Sequence, residues 1–78
     1  MKKFNSEYFA ERLLIKQRVY ALSVRKAAKE IGISAASLSR LNNSKFIPDI
    51  NTFNSCCDWM GLPMGIFFIK QMPNELNK

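Results

Sequence analysis

Between Ser23 and Leu41 the chain sets small, flexible and apolar residues at a spacing that few backbones can use. Ala28 is followed four residues later by Gly32, and Ala27, Ile31, Ile33, Leu38 and Leu41 supply the apolar positions around them. Two short helices crossing at a steep angle over a tight turn need this combination. The small residue lets the two backbones approach closely. The glycine accepts the positive φ that such a turn demands. The apolar residues give both helices a face toward one core. All seven positions fit at once, which makes this stretch the strongest constraint in the chain.

The remaining chain reads as further helix. Ser6 is expected to cap a first helix reaching about Tyr20, with Phe9, Leu13, Leu14 and Gln17 at helical spacing. Ser23 caps a second over Val24–Ile31, and Ser34 a third over roughly Ala35–Asn42. Asp49 caps a fourth ending near Met60, with Ile50, Phe53, Cys56, Cys57 and Met60 as its core face. Gly61-Leu62-Pro63 breaks the chain before a short fifth helix, Met64–Lys70. Residues 1–5 read as a flexible basic arm and residues 72–78 as a frayed tail. The expected fold is therefore all-α, one compact five-helix domain over residues 1–78, with a helix-turn-helix formed by the second and third helices. Only 3 Gly and 3 Pro interrupt a chain that is 47% hydrophobic, in keeping with long helical segments.

Charge is distributed unevenly. Residues 1–45 carry ten basic and three acidic side chains, a net of +7, whereas residues 46–78 have a net of −1. A basic first half suits a polyanion; a generic solubilising surface is the competing reading. No apolar run exceeds four residues, as at Ile66–Ile69, far short of a membrane span. The basic start lacks the apolar stretch of a signal peptide, so a cytoplasmic protein with no membrane partner is expected. The chain has no histidine and two adjacent cysteines, Cys56 and Cys57. This leaves no zinc-ligand set and no His-based acid–base chemistry, so no metal, no cofactor and no catalytic residues are expected. Both cysteines are expected to be buried, small and apolar, in a reducing compartment.

At Leu22-Ser23-Val24-Arg25-Lys26-Ala27-Ala28-Lys29-Glu30-Ile31-Gly32-Ile33-Ser34 and Ala35-Ala36-Ser37-Leu38-Ser39-Arg40-Leu41 the chain resembles the Xre/Cro-like helix-turn-helix domains of phage repressors and related bacterial regulators. The likeness continues through Lys45, Pro48 and Gly61-Leu62-Pro63 and spans roughly residues 9–69. It implies a five-helix fold, double-stranded DNA as partner and a role in transcription regulation in a bacterium or phage. Three positions depart from the family pattern. Val24 stands where Gln is frequent. Gln17 and Asn42 stand where many phage repressors pair Arg with Glu, so an uncharged hydrogen bond or no contact is expected there. Ser44 stands where Gly is frequent.

The resemblance puts Ala35, Ala36, Ser39 and Arg40 at base-reading positions of a helix lying in the major groove. Arg40 can grip guanine O6 and N7, the two alanines can touch thymine methyls, and Ser39 adds little selectivity. Ser23, Arg25, Ser34, Ser37, Asn43 and Lys45 are the phosphate candidates, with Lys2 and Lys3 as a basic arm. Helix capping by the serines and a solvated face for Arg25, Lys26 and Lys29 are the plainer alternatives. Trp59, Met64, Phe68, Ile69 and Met72 are more apolar surface than short helices can bury, and form a candidate homodimer interface; the alternative is that most are core. A protein-interaction module, such as an antitoxin or adaptor with a protein partner, is the second functional reading.

Overall fold

The computed structural model describes residues 3–44 and 46–68 of the chain. Among the described residues there are four α-helices: α1 (Ser6–Val19), α2 (Val24–Ile31), α3 (Ala35–Asn42) and α4 (Ile50–Met60). A 3₁₀ helix, Met64–Phe68, follows. There is no strand among the described residues. No helix among them is long and apolar enough to cross a membrane. Lys2, Lys45, Ile69, Met72 and the rest of the expected tail lie outside the described residues.

Local chemistry sets the helix starts. Ser23 Oγ accepts from the Lys26 amide at 3.1 Å, Ser34 Oγ from the Ser37 amide at 3.1 Å, and Asp49 Oδ1 from the Thr52 amide at 3.3 Å. Each satisfies an amide that the helix leaves without a partner. At α1 the cap is one residue earlier than expected. Asn5 Oδ1 accepts from the Tyr8 amide at 3.0 Å, and the Ser6 hydroxyl instead donates to the Ser44 carbonyl at 3.2 Å. The helix also stops at Val19, with Tyr20 as its C-cap and Ala21 at φ 52°.

Two helices end on glycines in the left-handed region, α2 at Gly32 (φ 93°) and α4 at Gly61 (φ 72°). After each, the next amide reaches back into the helix: Ile33 N–H donates to Ala28 O at 3.0 Å and Leu62 N–H to Cys57 O at 3.1 Å. This double closure satisfies carbonyls left open at a helix end. Within the described residues the expected fifth helix is wound more tightly than an α-helix. The segment winds as 3₁₀, with Ile66 N–H reaching back three residues to Pro63 O.

The core is built from Phe9, Leu13, Ala27, Ala28, Ile31, Leu38, Leu41, Phe53, Cys56, Cys57 and Phe67, all buried. Both cysteines are free thiols inside it. The α4 reading needs one correction: Ile50 is 65% exposed and takes no part in the core. It is the first residue of α4, and helical side chains lean toward the N-terminus, which carries this one off the end of the packed face. Ile33 and Met60 are half-buried and pack against the core, and Leu14 is half-buried.

The N-terminal segment is also not a free arm throughout. Phe4 lies 5.3 Å from Phe53 and 5.5 Å from Phe68 between ring centroids, and the Asn5 amide donates to the Phe67 carbonyl at 2.7 Å. These contacts close the chain end over the C-terminal 3₁₀ helix.

A Cβ at Gly32 would meet no atom within 4 Å, so backbone strain alone should govern substitution there. Gly32→Ala is expected to cost about 1–2 kcal/mol in urea unfolding, with an unchanged m value. Ser44 sits at φ 56° without being glycine. Ser44→Gly is expected to act in the opposite sense and stabilise by up to about 1 kcal/mol. A neutral Gly32→Ala would show that the turn has no need of glycine.

Candidate nucleic-acid interface

Burial of Leu38 and Leu41 fixes which face of α3 looks out. Ala36, Ser39, Arg40 and Asn43 are exposed and recur at i, i+3, i+4 and i+7, so they share one stripe. Ala35 is different: it is half-buried and packs against the core. Three of the four base-reading candidates therefore stand together on an accessible face, and the fourth forms its edge. Side chains on this stripe are short except for Arg40, so a surface as smooth as a groove wall could approach α3 closely.

Ser34 and Ser37 are coupled. The Ser34 hydroxyl accepts from the Ser37 amide and donates to Ser37 Oγ at 2.9 Å. That leaves the Ser37 hydroxyl proton free to donate elsewhere. Ser23 and Arg25 are exposed at the start of α2. Lys26 and Lys29 are exposed on the same helix, which favours a solvated, basic face. Glu30, the acidic residue of this segment, is turned to another use: its Oε1 accepts from Trp59 Nε1–H at 2.9 Å.

Arg40 does not extend freely into solvent. Its Cζ lies 4.9 Å from the centroid of the Phe46 ring, in cation–π range. Phe46 is a residue that sequence reasoning did not select. An aromatic a few residues past a basic helix end is the signal that could have found it.

The orientation of α3 is set in part by two amides. Gln17 Nε2 donates to Asn42 Oδ1 at 3.0 Å, and Asn42 Nδ2 donates back to Gln17 Oε1 at 3.2 Å. Gln17 Nε2 also donates to Leu13 O at 3.0 Å. Gln17 is buried, and these bonds satisfy both its amide protons and its oxygen. An uncharged hydrogen-bonded pair thus ties the end of α3 to α1, the first of the two outcomes expected for these positions.

The described members of the candidate dimer surface do not form one exposed patch. Met64, Trp59 and Phe68 are all half-buried and pack against the core. Phe68 joins the ring cluster of Phe4 and Phe53, at 5.5 and 5.8 Å. Trp59 instead meets Lys16, whose Nζ lies 4.7 Å from the Trp59 ring centroid and 5.6 Å from that of Tyr20, and donates to the Trp59 carbonyl. Among the described residues the large exposed apolar side chains lie elsewhere: Ile15, Val19, Tyr20, Val24, Ile47 and Ile50. The short helices bury more than expected: Phe4 packs on Phe68, and the Lys16 ammonium lies over Trp59.

No group of three or more His, Cys, Asp or Glu is arranged to hold a metal among the described residues. Burial pushes the Cys56 thiol up to about 12, with a smaller push from Cys57. Burial likewise raises Cys57 to about 11, helped by Asp58. Neither is set up as a thiolate nucleophile. No family model, curated protein or solved structure matches this chain.

Two outcomes are expected. Asn42→Ala should cost about 1–3 kcal/mol, because it leaves the buried Gln17 amide without two of its partners. An unchanged urea midpoint would mean that water replaces Asn42 without loss. Both thiols should resist alkylation at neutral pH until the chain is unfolded. Since their folded pKa values lie above the ordinary 9.0, the unfolded chain loses protons first. Their contribution is intact below pH 9.0 and is lost as pH rises toward 11 and 12, so stability should fall over that window, readable by pH-dependent urea unfolding.

Proposed function

We propose that the chain is a sequence-specific double-stranded DNA-binding regulator of transcription, of the Xre/Cro-like helix-turn-helix type. In this reading α2 and α3 form the motif within a five-helix domain, and α3 lies in the major groove. Ala36, Ser39 and Arg40 face the base edges, with Ala35 at the margin. Arg40 grips a guanine through O6 and N7, the alanines touch thymine methyls, and Ser39 tolerates several bases. Ser23, Arg25, Ser34, Ser37, Asn43 and Lys45 meet phosphates and fix the register.

The observation that carries the reading is the pairing of a tight, glycine-capped turn with an exposed stripe of short side chains ending in Arg40. A stripe of this kind admits a close, flat approach, and its one long side chain supplies a bidentate donor. The exposed Arg25, Lys26 and Lys29 on α2 add positive charge near the motif. One module covers a limited area, so two copies are proposed to bind a two-fold site with half-sites ~34–36 Å apart.

A protein-interaction module is the second reading. It is favoured by the exposed Val19, Tyr20, Ile47 and Ile50, which a DNA contact does not require. Selection of genomic fragments by the purified protein, at about 50 and about 200 mM salt, separates the two. DNA regulation predicts an enriched palindrome that persists at the higher salt, and a loss of roughly 5- to 150-fold in affinity on Arg40→Ala. Uniform retention of all fragments, collapsing with salt, would remove sequence-specific regulation and leave the protein-partner reading.

A further inference from the structure

Arg40 stands out on the α3 stripe as the one side chain long enough to need positioning. A guanidinium reads guanine only when its planar fork lies in the plane of the base, and an arginine on a helix surface has many rotamers to choose from. Here the guanidinium lies over the Phe46 ring, 4.9 Å from its centroid. A ring on one side of the guanidinium leaves the N–H donors that point away from it open to a base.

Phe46 is itself anchored. It is half-buried and packs against the core, unlike the exposed Ile47 beside it. The segment that carries it is held on both sides. Before it, Ser44 takes φ 56° and its carbonyl accepts from the Ser6 hydroxyl. After it, Pro48 is buried. The ring is therefore the anchored partner of the pair, and Arg40, on an exposed helix face, the flexible one.

We propose that Phe46 is a positioning residue for base recognition: its ring holds the Arg40 guanidinium in one plane, so guanine preference at the end of α3 depends on a loop residue outside that helix. The proposal rests on the DNA reading above. Phe46 touches no base in it and acts through Arg40 alone.

The test begins without DNA. In the free protein the Arg40 side-chain N–H and Cδ protons should resonate upfield, shifted by the ring, and Phe46→Leu should abolish the shift. Binding is then measured to a duplex carrying the selected site and to duplexes with each guanine changed to adenine. Phe46→Leu keeps apolar bulk in the loop and should reduce the guanine preference about two- to fivefold. Phe46→Tyr should retain it, and Phe46→Leu should have no further effect in an Arg40→Ala background. A structural role alone would weaken binding to all duplexes equally, which overturns the proposal. An intact guanine preference in Phe46→Leu also overturns it, as does an unshifted Arg40 in the wild-type protein, a result that does not depend on any variant folding. An Arg40 shift with no selected duplex at all would instead sink the DNA reading, and this proposal with it.

Discussion

Five phenylalanine rings hold the two ends of this domain together, and the placement of α2 and α3 depends on them. Phe9 and Phe67 meet edge to face at 5.1 Å and 85°, Phe4 and Phe53 at 5.3 Å and 87°, and Phe53 and Phe68 at 5.8 Å and 80°. These are the offset geometries that favour the ring quadrupoles, over and above the area they bury. The rings come from the N-terminal segment, α1, α4 and the 3₁₀ helix, so one cluster joins four parts of a short chain. With so few residues, little other apolar bulk is available for that purpose. The α2–α3 pair brings small and aliphatic residues to this platform, Ala27, Ala28, Ile31, Leu38 and Leu41, and so leaves the outer face of α3 uncovered.

The Gln17–Asn42 pair shows how orientation can be set without charge. A buried Arg–Glu pair must overcome the cost of taking two ions out of water. Two amides avoid that cost and still exchange two hydrogen bonds, one in each direction. Their geometry is directional enough to hold the end of α3 against α1. It is also insensitive to salt, unlike the contacts that the basic residues of α2 could make with a polyanion.

Features encoded within a few residues were legible in the sequence. The caps at Ser23, Ser34 and Asp49 and the turns at Gly32 and Gly61 depend only on neighbours, and the periodicity of Leu38 and Leu41 sufficed to orient α3. The Asn5 cap was harder because Asn-Ser offers two capping residues in a row, and the choice is made by a distant carbonyl at Ser44. Ile50 follows the right period, but periodicity does not tell where the neighbouring helices stop. The contacts of Trp59 with Glu30 and Lys16 span 29 and 43 residues and leave no local trace. The outward face of the candidate site could thus be read from sequence, whereas the Arg40–Phe46 cation–π contact required the fold. The half-burial of Trp59 and Phe68 was missed for a related reason: their cover, Lys16 and Phe4, comes from the far end of the chain.

The hydrogen bond from Asn5 to Phe67 makes the described domain almost a ring, since Phe4 and Phe68 also touch across the same seam. The order in which its helices follow one another is then partly arbitrary. A circular permutant, with a short linker across the Phe4–Phe68 seam and new termini opened at the exposed Gly61, would keep α2 and α3 consecutive and their turn unbroken. In such a chain α1 would follow the 3₁₀ helix, so Phe4, Phe9, Phe67 and Phe68 would lie close in sequence, while Phe53 on α4 would move to the far end. Contacts across the seam would become local and those between α4 and the 3₁₀ helix long-range, so the permutation trades one loop closure for another, and the packing itself is indifferent to which of the two the chain makes.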